Sequence, residues 1–164
     1  MPHPISALGA AHTVASLVTF AAGVYSFVRH RTIDIGTSCA KVYLAGMVLS
    51  VFSSFGLSST GRFNAGHARG ILALLATSGG WLAPRMRLLG RARMYLAQFS
   101  FTFSFFLLLV PGINETLTRL PADRPLAAGP ESPLVRGALL AWLGIFALGA
   151  TIQLLWLRAR RARA

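Results

Sequence analysis

Apolar residues fall in long runs along this chain, separated by short segments that hold most of the arginines. A helix that crosses about 30 Å of hydrocarbon needs about 20 mostly apolar residues. Five runs are of that order: Ile5 to Val28, Ile35 to Leu57, Ala65 to Ala83, Met94 to Ile113 and Leu134 to Leu157. None shows the apolar/polar alternation over about 10 residues that marks a membrane strand. The pattern therefore predicts an all-α transmembrane helical bundle of five spanning helices. The third run is the shortest and contains the Gly79-Gly80 pair. The longest connection, Pro111 to Pro133, holds five prolines and three of the four acidic residues, which predicts an ordered outer loop rather than a second domain. Residues 1–164 read as one integral membrane domain ending in a basic tail, 158–164.

Arginine placement predicts the direction of threading. Arg29 and Arg31, then Arg85, Arg87, Arg91 and Arg93, then Arg158, Arg160, Arg161 and Arg163 fall on one side of the alternating runs. Arg62, Arg69, Arg119, Arg124 and Arg136 fall on the other, together with Glu115, Asp123 and Glu131. Basic loops stay in the cytoplasm, so the N-terminus is expected outside and the C-terminus inside, in a cell inner membrane. The first run has no Lys or Arg before it and Arg29 and Arg31 after it, the reverse of a secretory signal. It is expected to be a retained helix.

Composition sharpens this reading. The 164 residues are 54% hydrophobic and 12% charged, with a mean hydropathy of +0.60. A soluble domain carries about 25% charged residues, so an ordinary water-soluble globule is excluded. Sixteen Lys+Arg against four Asp+Glu leave a net charge of +12. In a soluble protein that excess would suggest nucleic acid. Here the charges cluster between apolar runs, so the expected partners are the lipid bilayer and, at the basic loops and tail, anionic headgroups. No nucleic-acid partner is expected. Cys39 is the one cysteine, which removes intrachain disulfides and cysteine metal cages.

Small and polar residues gather where helices meet in lipid. His12, Ser16, Thr19, Gly23 and Ser26 recur at helical spacing on one face of the first run. Gly36, Cys39, Tyr43, Gly46, Ser50 and Ser53 form a similar stripe in the second. Gly66, His67 and Gly70 open the third, Tyr95, Gln98 and Thr102 belong to the fourth, and Gly137, Ala141 and Gly144 to the fifth. Such stripes establish packing in the first place.

His12 and His67 stand apart, because a titratable group inside a span is expensive to bury and usually has a partner. Counted from the arginines at about 1.5 Å per residue, His12 lies roughly 26 Å from Arg29 and His67 roughly 27 Å from Arg85, so the two imidazoles are expected at one depth. Such a pair is a candidate for axial ligation of haem b, or for another transition metal. Alternatively each histidine bonds a neighbouring hydroxyl. A second constellation is Asn114, Glu115, Thr116, Thr118 and Arg119, in which Glu115 and Arg119 pair at i,i+4 or Glu115 faces Arg69 or His67 as part of a lid. Tyr43, Gln98, Glu115 and Arg119 are the candidate lining of an outward-opening ligand cavity. No phosphate loop, paired catalytic carboxylates, Ser/His/Asp set or zinc spacing occurs, so no catalytic residues are expected.

The early helix with His12 and Gly23, the short loop with Arg29 and Arg31, the stretch Gly36 to Tyr43, His67 at the start of a helix and Arg93-Met94-Tyr95 at the start of another together resemble a family of bacterial multi-pass membrane proteins catalogued as domain of unknown function 2306. The resemblance covers about Ala11 to Leu120. Gly36 and Ala40 stand where that family carries a histidine and a glycine in the loop before the tyrosine. It implies a small helical bundle in a bacterial inner membrane and supplies no activity. Three functional readings follow: a packing or sensor subunit of the membrane, a haem-binding electron-transfer protein using His12 and His67, and a small-solute carrier, which at this size would act as a homo-oligomer.

Overall fold

The computed structural model describes residues 6–57, 65–121 and 123–162, so His3, Arg62 and Arg163 lie outside the described residues. Every regular element among the described residues is helical: α1 (Ala7–His30), α2 (Ser38–Gly56), α3 (Ala65–Leu82), α4 (Arg93–Arg119) and α5 (Pro133–Ala162). Two short 3-10 segments, Ala83–Arg85 and Arg87–Ala92, join α3 to α4. The chain's own residues set these limits. Ser6 Oγ accepts the Gly9 N–H at the start of α1 and Thr37 Oγ1 accepts the Ala40 N–H at the start of α2, each satisfying an otherwise orphaned donor. Arg31 closes α1 in the left-handed conformation (φ 61°) and returns its N–H to the Phe27 carbonyl.

α1, α2, α4 and α5 are each long and apolar enough to cross a membrane. α3, with 18 residues and with His67 and Arg69 in its first turns, falls below that composition. It extends about 27 Å at 1.5 Å per residue, and it packs against α2 and α4. Two boundaries differ from expectation. α4 runs through Pro111 to Arg119 instead of ending at Ile113, and α5 carries the basic tail as helix to Ala162. Pro111, on the exposed face, removes one helical bond, a loss that membrane helices tolerate. Beyond it the connection folds back on the end of α4 and satisfies carbonyls there: Ala127 N donates to the Leu117 carbonyl and Leu126 N to the Leu120 carbonyl. The irregular connection thus shrinks to 120–132, with Ala127 buried.

Helices α1 to α4 surround a core of Tyr43, Met47, Ala73, Phe101 and Phe105, and α5 packs on the outside of α4. The distribution of polarity is inverted relative to a soluble bundle. Thr19, Ser26 and Ser104 are completely buried, whereas Val28, Leu49, Phe52, Leu75, Leu140 and Leu148 are exposed. Large apolar surface outside and small hydroxyl-bearing residues inside is the arrangement suited to lipid. Glycines permit close helix approaches. A Cβ on Gly46 would stand 2.1 Å from Thr19 Oγ1 across the α1/α2 seam, and one on Gly80 would stand 2.8 Å from the Phe101 ring across α3/α4.

Candidate functional site

The first stripe lies along the α1/α2 seam. His12 Nδ1 and Ser53 Oγ are 2.9 Å apart, Ser16 Oγ donates to Ser50 Oγ at 3.2 Å, and Thr19 and Gly23 are buried further along. His67 also meets α2, stacking on the Phe55 ring with centroids 4.7 Å apart and planes 9° from parallel. Ser53 and Phe55 are two residues apart, which is about 3 Å in height and about 200° around the helix. The two histidines therefore share a depth but sit on opposite flanks of α2. Sequence reasoning held them as candidate facing ligands or, alternatively, as partners of neighbouring hydroxyls, and His12 beside Ser53 matches the alternative. α1 and α3 form no substantial interface. An iron or other ion held by both would need each nitrogen within about 2 Å of it, an arrangement these residues do not form. No group of three or more His, Cys, Asp or Glu suited to a metal occurs among the described residues.

The expected outer cavity is dispersed as well. Tyr43, near the start of α2, is buried, with its hydroxyl 2.7 Å from Ser104 Oγ. Gln98 lies near the start of α4, at the arginine-rich end, whereas Glu115 lies about 26 Å further along the same helix at 1.5 Å per residue. Glu115 and Arg119 pair with each other at i,i+4 on an exposed surface and face no cavity. Four residues assigned to one cavity thus occupy two ends of the bundle.

The structure places a concavity elsewhere. α5 contacts the bundle through α4, which leaves an open seam between α5 and the C-terminal half of α1. That seam is a cleft of about 410 Å³, within the range of pockets that take small organic ligands. Its walls are aromatic and aliphatic: Phe27 from α1, Phe105 and Phe106 from α4, and Trp142, Phe146 and Trp156 from α5. The rings lock into one another, with Phe106 and Phe146 centroids 4.8 Å apart and Phe27 edge-on to Phe105 at 5.2 Å. Trp142 Nε1 donates to the Phe106 carbonyl at 3.1 Å, so its polar edge is satisfied.

One polar cluster stands in this apolar wall. Gln153, 9% exposed, accepts from Thr102 Oγ1 at 2.5 Å and donates through Nε2 to the Arg31 carbonyl at 2.8 Å. It ties α5 to α4 and to the end of α1. Just beyond it the mouth of the cleft is cationic: the guanidinium carbons of Arg31 and Arg160 lie 5.6 and 4.7 Å from the centre of the Trp156 ring. At the same end of the bundle Arg85 sits 4.3 Å from the Trp81 ring centre. Tryptophans beside arginines are the usual marking of a membrane–water boundary.

Sequence reasoning overlooked Gln153 and the Phe/Trp wall. The signal for Gln153 was the same as for His12, a polar side chain in an apolar run. Gly137, Ala141 and Gly144, by contrast, are exposed, and Cβ atoms built on Gly137 and Gly144 meet nothing within 4 Å. Comparison with protein-family models, curated proteins and solved structures finds no match for this chain.

Proposed function

We propose that the protein is a non-enzymatic, multi-pass membrane protein that holds one apolar chain of a bilayer amphiphile in the α1/α4/α5 cleft and acts as a sensor or carrier subunit for it. The observation that carries this reading is the cleft itself: an aromatic groove, open to the side, in a bundle whose α1/α2, α2/α3 and α3/α4 seams close on glycine. A groove open sideways admits a ligand from the bilayer rather than from water. Five spans, with the N-terminus outside and the arginine-rich end in the cytoplasm of a bacterial inner membrane, complete the proposal. The resemblance to domain of unknown function 2306 is compatible with it. The haem and polar-carrier readings lose support because their residues are not brought together.

Gly149 supplies the test. It lines the cleft, and a Cβ there meets nothing within 4 Å, so Gly149→Leu starts a side chain in open space and takes up room in the groove. Mass spectrometry of solvent extracts from purified protein should find an amphiphile retained at a fixed ratio by the native chain and lost from Gly149→Leu. Equal retention by both, or none by the native chain, refutes the reading.

A further inference from the structure

We infer that the amphiphile in the cleft is an anionic phospholipid of the leaflet at the arginine-rich end, its headgroup held between Arg31 and Arg160; this rests on the cleft reading above. Two features of the cleft converge on it.

The first is length. Trp156 marks the mouth and Trp142 the deep end, fourteen residues apart on α5, which is about 21 Å at 1.5 Å per residue. Half of a hydrocarbon core of about 30 Å is about 15 Å, so the groove spans one leaflet and its interfacial shoulder. An acyl chain whose headgroup stays at the Trp156 level fits that span.

The second is charge. Arg31 and Arg160 come from different helices and converge on one indole ring. The arginine-rich end carries a single carboxylate side chain, Asp34, and its Oδ1 already accepts the Gly36 N–H. The ion pairs Glu115–Arg119 and Glu131–Arg136 lie at the opposite end. Two like charges brought together beside a ring that compensates them only in part form a seat for an anion, and at the end of an acyl groove that anion is a lipid phosphate. A zwitterionic headgroup brings its own cation into the same place and loses the advantage.

Trp142 reports on the deep end. A Trp81→Phe protein keeps only Trp142 and Trp156, both of which line the cleft, and leaves the ring beside Arg31 and Arg160 in place. In phosphatidylcholine vesicles containing a small fraction of lipid brominated on its chains, a bound chain quenches the cleft tryptophans with a saturating dependence on that fraction. Brominated phosphatidylglycerol should saturate this quenching at a fraction about 25-fold lower than brominated phosphatidylcholine, at about fivefold per arginine. Arg31→Gln/Arg160→Gln should bring the two lipids together. Arg87→Gln/Arg93→Gln, which removes the same charge from the same end away from the cleft, should leave the preference in place. Equal quenching by both lipids in the native-arginine protein, or equal loss of preference in both double variants, overturns the anionic seat and leaves the cleft reading standing. Quenching that fails to saturate with either lipid overturns both.

Discussion

Replacing Gln153 with leucine tests whether the polar cluster holds α5 in place. Leucine is of similar bulk and removes two short hydrogen bonds, one accepted from Thr102 Oγ1 and one donated to the Arg31 carbonyl, with a third, long one donated to Gln98 Oε1 at 3.5 Å that adds little. Hydrogen bonds between membrane helices are worth about 0.6 kcal/mol on average and at most about 1.7, which bounds the loss between roughly 1 and 3 kcal/mol. The lower half of that range applies, because neither partner is stranded. Thr102 Oγ1 also bonds the Gln98 carbonyl at 3.0 Å, and Arg31 is exposed, so water can reach its carbonyl. The expected loss is therefore about 1 to 2 kcal/mol. Its location matters more than its size. α5 joins the bundle through α4, so the α1–α4 core should stay folded while the arginine-rich end of α5 swings away from α1. Spin labels at Val28→Cys and Leu155→Cys, both on exposed positions, in a Cys39→Ser background would read that swing as a broadened distance distribution. Reversible unfolding in mixed micelles would read the energy. Stability within about 0.3 kcal/mol of the native chain, together with an unchanged distribution, would show that apolar contact alone positions α5 and that the cluster is incidental.

Two further perturbations address the seams and the histidines. Gly46→Val drives a side chain into Thr19, whose hydroxyl is already committed to the Ala15 carbonyl, and should lower stability by about 1 to 3 kcal/mol in the same unfolding assay, whereas Gly149→Leu should be near neutral; equal effects would contradict the close α1/α2 approach. Protein expressed with ample haem should show no Soret band, and His12→Ala should cost about 0.6 kcal/mol through the lost Ser53 contact; a Soret band abolished in both His12→Ala and His67→Ala would disprove the separation of the two imidazoles by α2.

The helical character and the apolar spans were legible because both follow from run length and composition, which act locally. The α1 face from His12 to Ser26 was legible for the same reason: a stripe on one helix identifies its buried side whatever it packs against. The Glu115–Arg119 pair needs only helical spacing, and it formed because α4 continued past Pro111. What failed depended on which helix lies beside which. His12 and His67 do share a depth, as residue counting implied, but counting says nothing about azimuth, and α2 came between them. Tyr43 and Gln98 were grouped with Glu115 without regard to height, although the same counting at about 1.5 Å per residue separates them. Gln153 was passed over beside His12, yet an amide in an apolar run carries the same desolvation cost and the same need for a partner.

The open seam has a physical origin in residue size. Where the bundle closes, the facing positions are small: Gly46 against Thr19, Gly80 against Phe101, Gly70 against Val51. Where α5 meets α4 the facing positions are large, with Phe103 and Phe106 of α4 against Phe146 and Trp142 of α5. Rings hold helices further apart than glycines do, so α5 is carried outward on α4 and meets α1 at its end, through Gln153 and Arg31. A groove open at the side of the bundle leaves its rings exposed to the surroundings, and in the bilayer setting proposed above those surroundings are lipid chains. The small-residue stripes are thus the closed seams of the protein. The aromatic wall beside Gln153 borders a cleft of about 410 Å³ that its own side chains leave open.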